Sequence, residues 1–153
     1  MGSEIDHVMA RLGERGFAVN IETEDELRVY RVSGKGFRLR VGIGPKGILL
    51  EFVVNRDGES PELRYGIDTD LYDVSDPDQQ CFADEIQRDM AFFLDALGDG
   101  SLKVSRGRNK TVIAFPCADK YVRVERGRVF TRRREYERAS GAEAGGDFQP
   151  FSQ

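Results

Sequence analysis

Phe37-Arg38-Leu39-Arg40-Val41-Gly42-Ile43-Gly44 alternates apolar and polar residues without a break, and Ile48-Leu49-Leu50-Glu51-Phe52-Val53-Val54 follows after a short glycine-rich interval. Alternation at period two describes a strand with one face buried and the other wet. The second stretch differs, because Leu49 and Val53 add apolar side chains to its other face, as expected of a central strand covered on both sides. Something must pack there, and the chain supplies a candidate. Asp76-Pro77 reads as an N-cap followed by a proline at the first helical position, where its missing N–H costs nothing. Phe82, Ile86, Met90, Phe93 and Leu97 then recur at steps of 4, 4, 3 and 4, a core-facing helical stripe. The expected arrangement lays helix 77–97 on the sheet face that carries Leu49 and Val53.

Outward from this centre the same two periods continue. Upstream, Ile5, Val8, Met9 and Leu12 form a short amphipathic helix, and Gly16 suits a left-handed cap at its end. Phe17, Val19 and Ile21 then alternate into a strand, a polar turn leads to Leu27–Val32, and Ser33–Gly36 turns into Phe37. Gly42-Ile43-Gly44-Pro45-Lys46-Gly47 and Asp57-Gly58 read as hairpin turns, the latter leading to Leu63, Tyr65 and Ile67. Downstream, Gly98-Asp99-Gly100 ends the long helix. Strands over 102–106, 111–115, 121–125 and 129–133 make a second meander. From Ala139 the chain reads ASGAEAGGDFQPFSQ, rich in Gly and Ala, and is expected to be a disordered tail in which Phe148 and Phe151 are the residues able to dock. The expected fold is α+β: an N-terminal helix, an antiparallel meander, one long amphipathic helix packed on the sheet, and a C-terminal meander. It makes one domain over 1–138 with a tail over 139–153.

Composition bounds the function. A chain of 153 residues with 39% apolar and 33% charged residues has material for one core without disulfides or a structural metal. No apolar run approaches the roughly 20 residues of a membrane helix, and MGSEIDHVMARLGERG lacks the apolar stretch of a signal peptide, so the chain reads as cytoplasmic with no membrane contact. His7, Cys81 and Cys117 are the whole supply of histidine and cysteine, too few and too scattered for tetrahedral zinc. A catalytic triad would have to use His7, which reads as a solvent-facing helix residue. The two cysteines read as free thiols, and Gly42–Gly47 has neither the spacing nor the following helix of a phosphate-binding loop. No cofactor, metal or catalytic residue is expected, although an enzyme site without a familiar motif stays open.

Charge is segregated along the chain. Residues 1–100 hold 11 basic and 21 acidic side chains, residues 101–138 hold 12 and 4, and the rest holds two acids, giving −10, +8 and −2. Asp68, Asp70, Asp73, Asp76 and Asp78 form an acidic cluster, and Arg132, Arg133 and Arg134 a basic one. The acidic spacing fails the calcium-loop frame, since Tyr72 and Asp73 stand where a ligand and the glycine belong. It reads either as a solvated loop with Asp76 capping the helix or as a face that meets a basic protein. The arginines read as outward-facing strand residues that pair within the fold, with phosphate contact as the rival reading.

The opening helix ending at Gly16-Phe17, the meander over 17–67, the amphipathic helix 77–97 and the short strand set after it together resemble the small α+β immunity proteins encoded beside bacterial polymorphic toxins. The resemblance implies a non-catalytic, cytoplasmic protein that binds and blocks one toxin through a charged surface, and it transfers no individual residue. On charge alone, Asp68, Asp70 and Asp73, with Arg132, Arg133 and Arg134, are the candidate contacts to a protein partner such as a basic toxin domain. An acidic, dimeric secretion-chaperone-like module and a nucleic-acid-associated protein using residues 103–138 are the alternatives.

Overall fold

The structure is a computed structural model that describes residues 3–44, 47–55, 61–69, 76–107, 109–127 and 130–151. Helix α1 (Ser3–Glu14) is followed by strands β1 (Val19–Glu24), β2 (Leu27–Gly34), β3 (Phe37–Gly44), β4 (Gly47–Asn55) and β5 (Pro61–Asp68). Helix α2 (Pro77–Asp99) comes next, then β6 (Lys103–Arg106), β7 (Thr111–Cys117), β8 (Lys120–Arg126) and β9 (Thr131–Tyr136). A short helix α3 (Ala139–Ala142) and strand β10 (Gln149–Pro150) complete the chain. All strand pairings are antiparallel, in two sheets ordered β1-β2-β3-β4-β5 and β10-β6-β7-β8-β9. The α+β class and the order of elements through β9 are therefore as the sequence periods require. Asp57-Gly58, and Pro45-Lys46 within the other expected turn, lie outside the described residues, while Gly42, Ile43 and Gly44 continue β3.

The helix ends follow local chemistry. The Asp76 carboxylate accepts the Asp78 N–H at 3.0 Å, Pro77 occupies the first turn, and Gly100 closes α2 at φ 84, a conformation that costs glycine little. Gly16 takes φ 97 just beyond α1. A bidentate Arg11–Asp95 pair at 3.0 Å ties α1 to α2, and Asp6 accepts from Arg28 and from the Tyr30 hydroxyl, tying α1 to β2.

The core lies on one side of the first sheet. In register, Phe37 faces Val54, Leu39 faces Phe52, Val41 faces Leu50 and Ile43 faces Ile48. Strand partners share a face, so these side chains make one apolar surface, joined by Leu63, Tyr65 and Ile67 of β5. On it sits Phe93 of α2, with ring centroids 5.1 Å from Phe52, 5.4 Å from Tyr65 and 5.0 Å from Phe115 of β7. Ile5, Val8, Met9 and Leu12 of α1 and Ile113, Val122 and Val124 of the second sheet join the same cluster. Glu62 on β5 accepts from Arg106 (3.3 Å) and Thr111 (2.8 Å), linking the two sheets.

Helix α2 thus covers the face of Leu50, Phe52 and Val54, and not the face of Leu49 and Val53 expected from the strand pattern. Register explains the difference. Leu49 and Val53 share their face with Gly42, Arg38 and Arg64, so a helix there would have to desolvate several guanidinium groups, a heavy cost for charges without full pairing. Phe82 also departs from the stripe and is 54% exposed, whereas Met90, Phe93 and Leu97 are fully buried.

The C-terminal segment is not the disordered tail that its composition suggested. Residues 139–151 carry α3 and β10, and Phe151 inserts into the core with its ring 5.4 Å from Phe37 and 5.2 Å from Phe52. The attachment is Arg123 on β8, only 8% exposed. Its Nη1 donates to the carbonyls of Ala142 (3.0 Å) and Ala144 (2.7 Å), its Nε donates to Glu125 (2.5 Å), and the guanidinium lies 5.9 Å from the Phe148 ring centroid. One buried cation replaces the β-branched side chains that the segment lacks.

Candidate interaction surface

With α1, α2 and the second sheet on the inner face, and α3 against β7, β8 and β9, the outer face of the first sheet is left without a covering element among the described residues. Its side chains follow from register. One cross-strand row is Glu22, Val29, Gly42, Leu49 and Asp68, the next is Asn20, Arg31, Arg40, Glu51 and Gly66, and the next contains Ser33, Arg38, Val53 and Arg64. The glycines keep the surface low: a Cβ added to Gly42 would meet nothing within 4 Å, and one at Gly66 would meet only the Leu50 carbonyl at 3.6 Å. Between the taller side chains runs a trough of about 440 Å³ lined by Arg31, Arg38, Arg40, Glu51, Val53 and Arg64. A second hollow of about 250 Å³ shares Glu51, Val53 and Arg64 and extends it to Gly66 on β5.

The four arginines are not equivalent. Arg31 pairs with Glu22 at 3.3 Å and with Glu24, and Arg40 pairs with Glu24 at 3.3 Å. Hydrogen bonds from Arg31 and Arg40 hold the Glu24 carboxyl below the usual carboxylate range. Arg38 and Arg64 are exposed and have no ion-pair partner among the described residues. They stand on either side of Val53 in one row, Arg38 facing Val53 and Val53 facing Arg64. Val53 is 9% exposed, so the floor between the two cations is apolar.

Of the residues singled out on charge, the described ones do not gather in one place. Asp68 ends β5 opposite Leu49, at the margin of this same face. Asp70 and Asp73 lie outside the described residues. Arg132, Arg133 and Arg134 are consecutive on β9 and alternate. Arg132 and Arg134 share the face of Glu125 and Arg123, Arg132 lying 3.7 Å from Glu125. Arg133 points to the other side, beside the Tyr65 hydroxyl and 3.1 Å from Glu135. The triplet is therefore not one patch. The trough itself was spelled out in Arg38, Arg40 and Val53, but the assumption that a helix covered Val53 hid it.

His7 is exposed on α1. The Cys117 thiol donates to Asp89 at 3.4 Å, and burial together with that carboxylate pushes it up to about 12, so it stays a thiol at neutral pH and is a poor nucleophile. Among the described residues no group of three or more His, Cys, Asp or Glu side chains is arranged to hold a metal ion, and no helix is long and apolar enough to cross a membrane. Comparison with protein-family models, with characterised proteins and with solved structures returns no match.

Proposed function

We propose that the protein is a non-catalytic protein-binding module whose partner docks on the outer face of the first sheet. The observation that supports this is the arginine-rimmed trough over Val53 on a sheet face that none of the described elements covers. Interaction surfaces combine a desolvated apolar centre with an Arg-rich surround, and the trough has both. The immunity-protein resemblance gives the reading a specific form, in which the partner is a toxin blocked by the complex and the complex forms in the cytoplasm. Glu22, Glu24, Glu51 and Asp68 around the arginines make the face bipolar, which suits one partner of matching charge pattern more than a uniform polyanion.

Affinity capture from the native host tests this reading. The wild-type chain should retain a specific protein, encoded next to its own gene if the immunity reading holds. A variant with Gly66→Phe, which fills the hollow that continues the trough onto the edge strand, should lose it. Retention of the same protein by both chains would remove the outer face from the account. Tight, salt-sensitive retention of nucleic acid in its place would favour the β9 arginines instead.

A further inference from the structure

We infer that the trough receives an extended acidic segment of the partner, in which an apolar residue seats on Val53 between two carboxylates taken by Arg38 and Arg64. This rests on the outer face being the docking surface and names what occupies it. Three observations meet at the site. The first is an imbalance of pairing: Glu22 and Glu24 already occupy Arg31 and Arg40, whereas Arg38 and Arg64 have no ion-pair partner among the described residues. A guanidinium presents a rigid fork that matches a carboxylate in bidentate fashion, so the two unpaired arginines are able to take two such acceptors.

The second is spacing. Arg38, Val53 and Arg64 sit on adjacent strands in one row, which sets the two arginine Cα atoms about 10 Å apart with the apolar floor midway. In an extended peptide, side chains on one face recur every ~6.7 Å, so residues on either side of an apolar anchor lie about 13 Å apart. Arginine arms leaning outward from the row span that distance. The third is shape and surrounding charge. The trough and its continuation run across β2, β3, β4 and β5 with Gly66 as a low wall, a channel for a segment crossing the strands. Glu51 lies in the channel and Glu22 and Glu24 at its side, so a continuous polyanion meets repulsion where separated carboxylates do not. The chemistry that fits is acidic, spacer, apolar, spacer, acidic.

A fluorescein-labelled Asp-Ser-Leu-Ser-Asp peptide, titrated into the full chain and read by anisotropy at low salt, tests the inference. The expected result is binding that weakens at least tenfold in the Arg38→Ala/Arg64→Ala double variant, weakens when the leucine is replaced by serine, and is unchanged in Arg126→Ala, an exposed arginine on the other sheet. Circular dichroism verifies that each variant is folded. No binding by the wild type, equal binding by the double variant, or tighter arginine-dependent binding of a phosphoserine peptide or a uridine oligomer would overturn it. The captured partner separates the two levels of the argument. If Gly66→Phe abolishes its binding while the acidic peptide does not bind, the docking face stands and the acidic segment fails. If the partner binds Gly66→Phe and the double variant like wild type, the face itself fails.

Discussion

Replacing Arg123 with methionine keeps the length of the side chain and removes its charge and donors, so it isolates the clamp on the C-terminal segment. The Ala142 carbonyl is in a buried residue and loses its 3.0 Å donor, at about 1–3 kcal/mol for an unsatisfied buried acceptor. The Ala144 carbonyl is in an exposed residue and regains water. Glu125 keeps Lys110 at 3.3 Å and Arg132 at 3.7 Å, so no carboxylate is stranded and the full penalty of a broken buried pair is avoided. Loss of the contact with Phe148 adds on the order of 1 kcal/mol. The total is about 2–4 kcal/mol, equivalent to a fall of about 4–16 °C in Tm for a chain of this size. Urea and thermal unfolding measure the global effect, and hydrogen exchange locates it. Exchange should accelerate across 139–151 more than in β2, β3 or β4. A variant within ~1 kcal/mol of wild type, with unchanged exchange over 139–151, would refute the clamp.

Phe151→Ala removes a ring packed on Phe37 and Phe52 and should cost about 3 kcal/mol in urea denaturation, a loss that a free tail would not produce. Leu49→Lys should express as a folded protein, because its side chain is only half-buried, on the face opposite α2 and beside Asp68; Leu50→Lys, at a fully buried position, should not fold, as circular dichroism will reveal. Cys117 gives a pH signature. Its thiol ionises near 9 when unfolded and at about 12 when folded, so between those values the unfolded state holds fewer protons and stability falls as pH rises. The urea midpoint should therefore drop from pH 8 to pH 10.5 more steeply in wild type than in Cys117→Ser, in which that group no longer titrates.

Periodicity carried most of the fold. The alternation over 37–44 and the stripe from Ile86 to Leu97 are driven by burial, and burial is written in residue type. What periodicity does not carry is which of two apolar faces receives the helix. Leu49 and Val53 read as the underside of a packed helix, and only strand pairing, Val53 with Arg38 and Arg64 and Leu49 with Gly42 and Asp68, places them on the face opposite α2. Gly44 pairs with Gly47 across two residues, a tight hairpin of the kind the glycines announce, so this register was within reach of the sequence. The C-terminal segment was illegible for a different reason. Its order depends on Arg123, some twenty positions away, and a buried arginine among exposed ones has no local signature. Charge counting had the same weakness. A net of −10 over residues 1–100 conceals four arginines gathered on one face, and the consecutive arginines 132–134 are split between two.

The central claim is that the outer face of the first sheet is the docking surface. Hydrogen exchange of the full chain with and without its captured partner tests it directly. Backbone amides of β2, β3, β4 and β5 around Arg31, Arg38, Val53 and Arg64 should gain protection in the complex, while β9 and residues 139–151 exchange as in the free protein. Protection confined to β9, or to the C-terminal segment, with the outer face unchanged would contradict it.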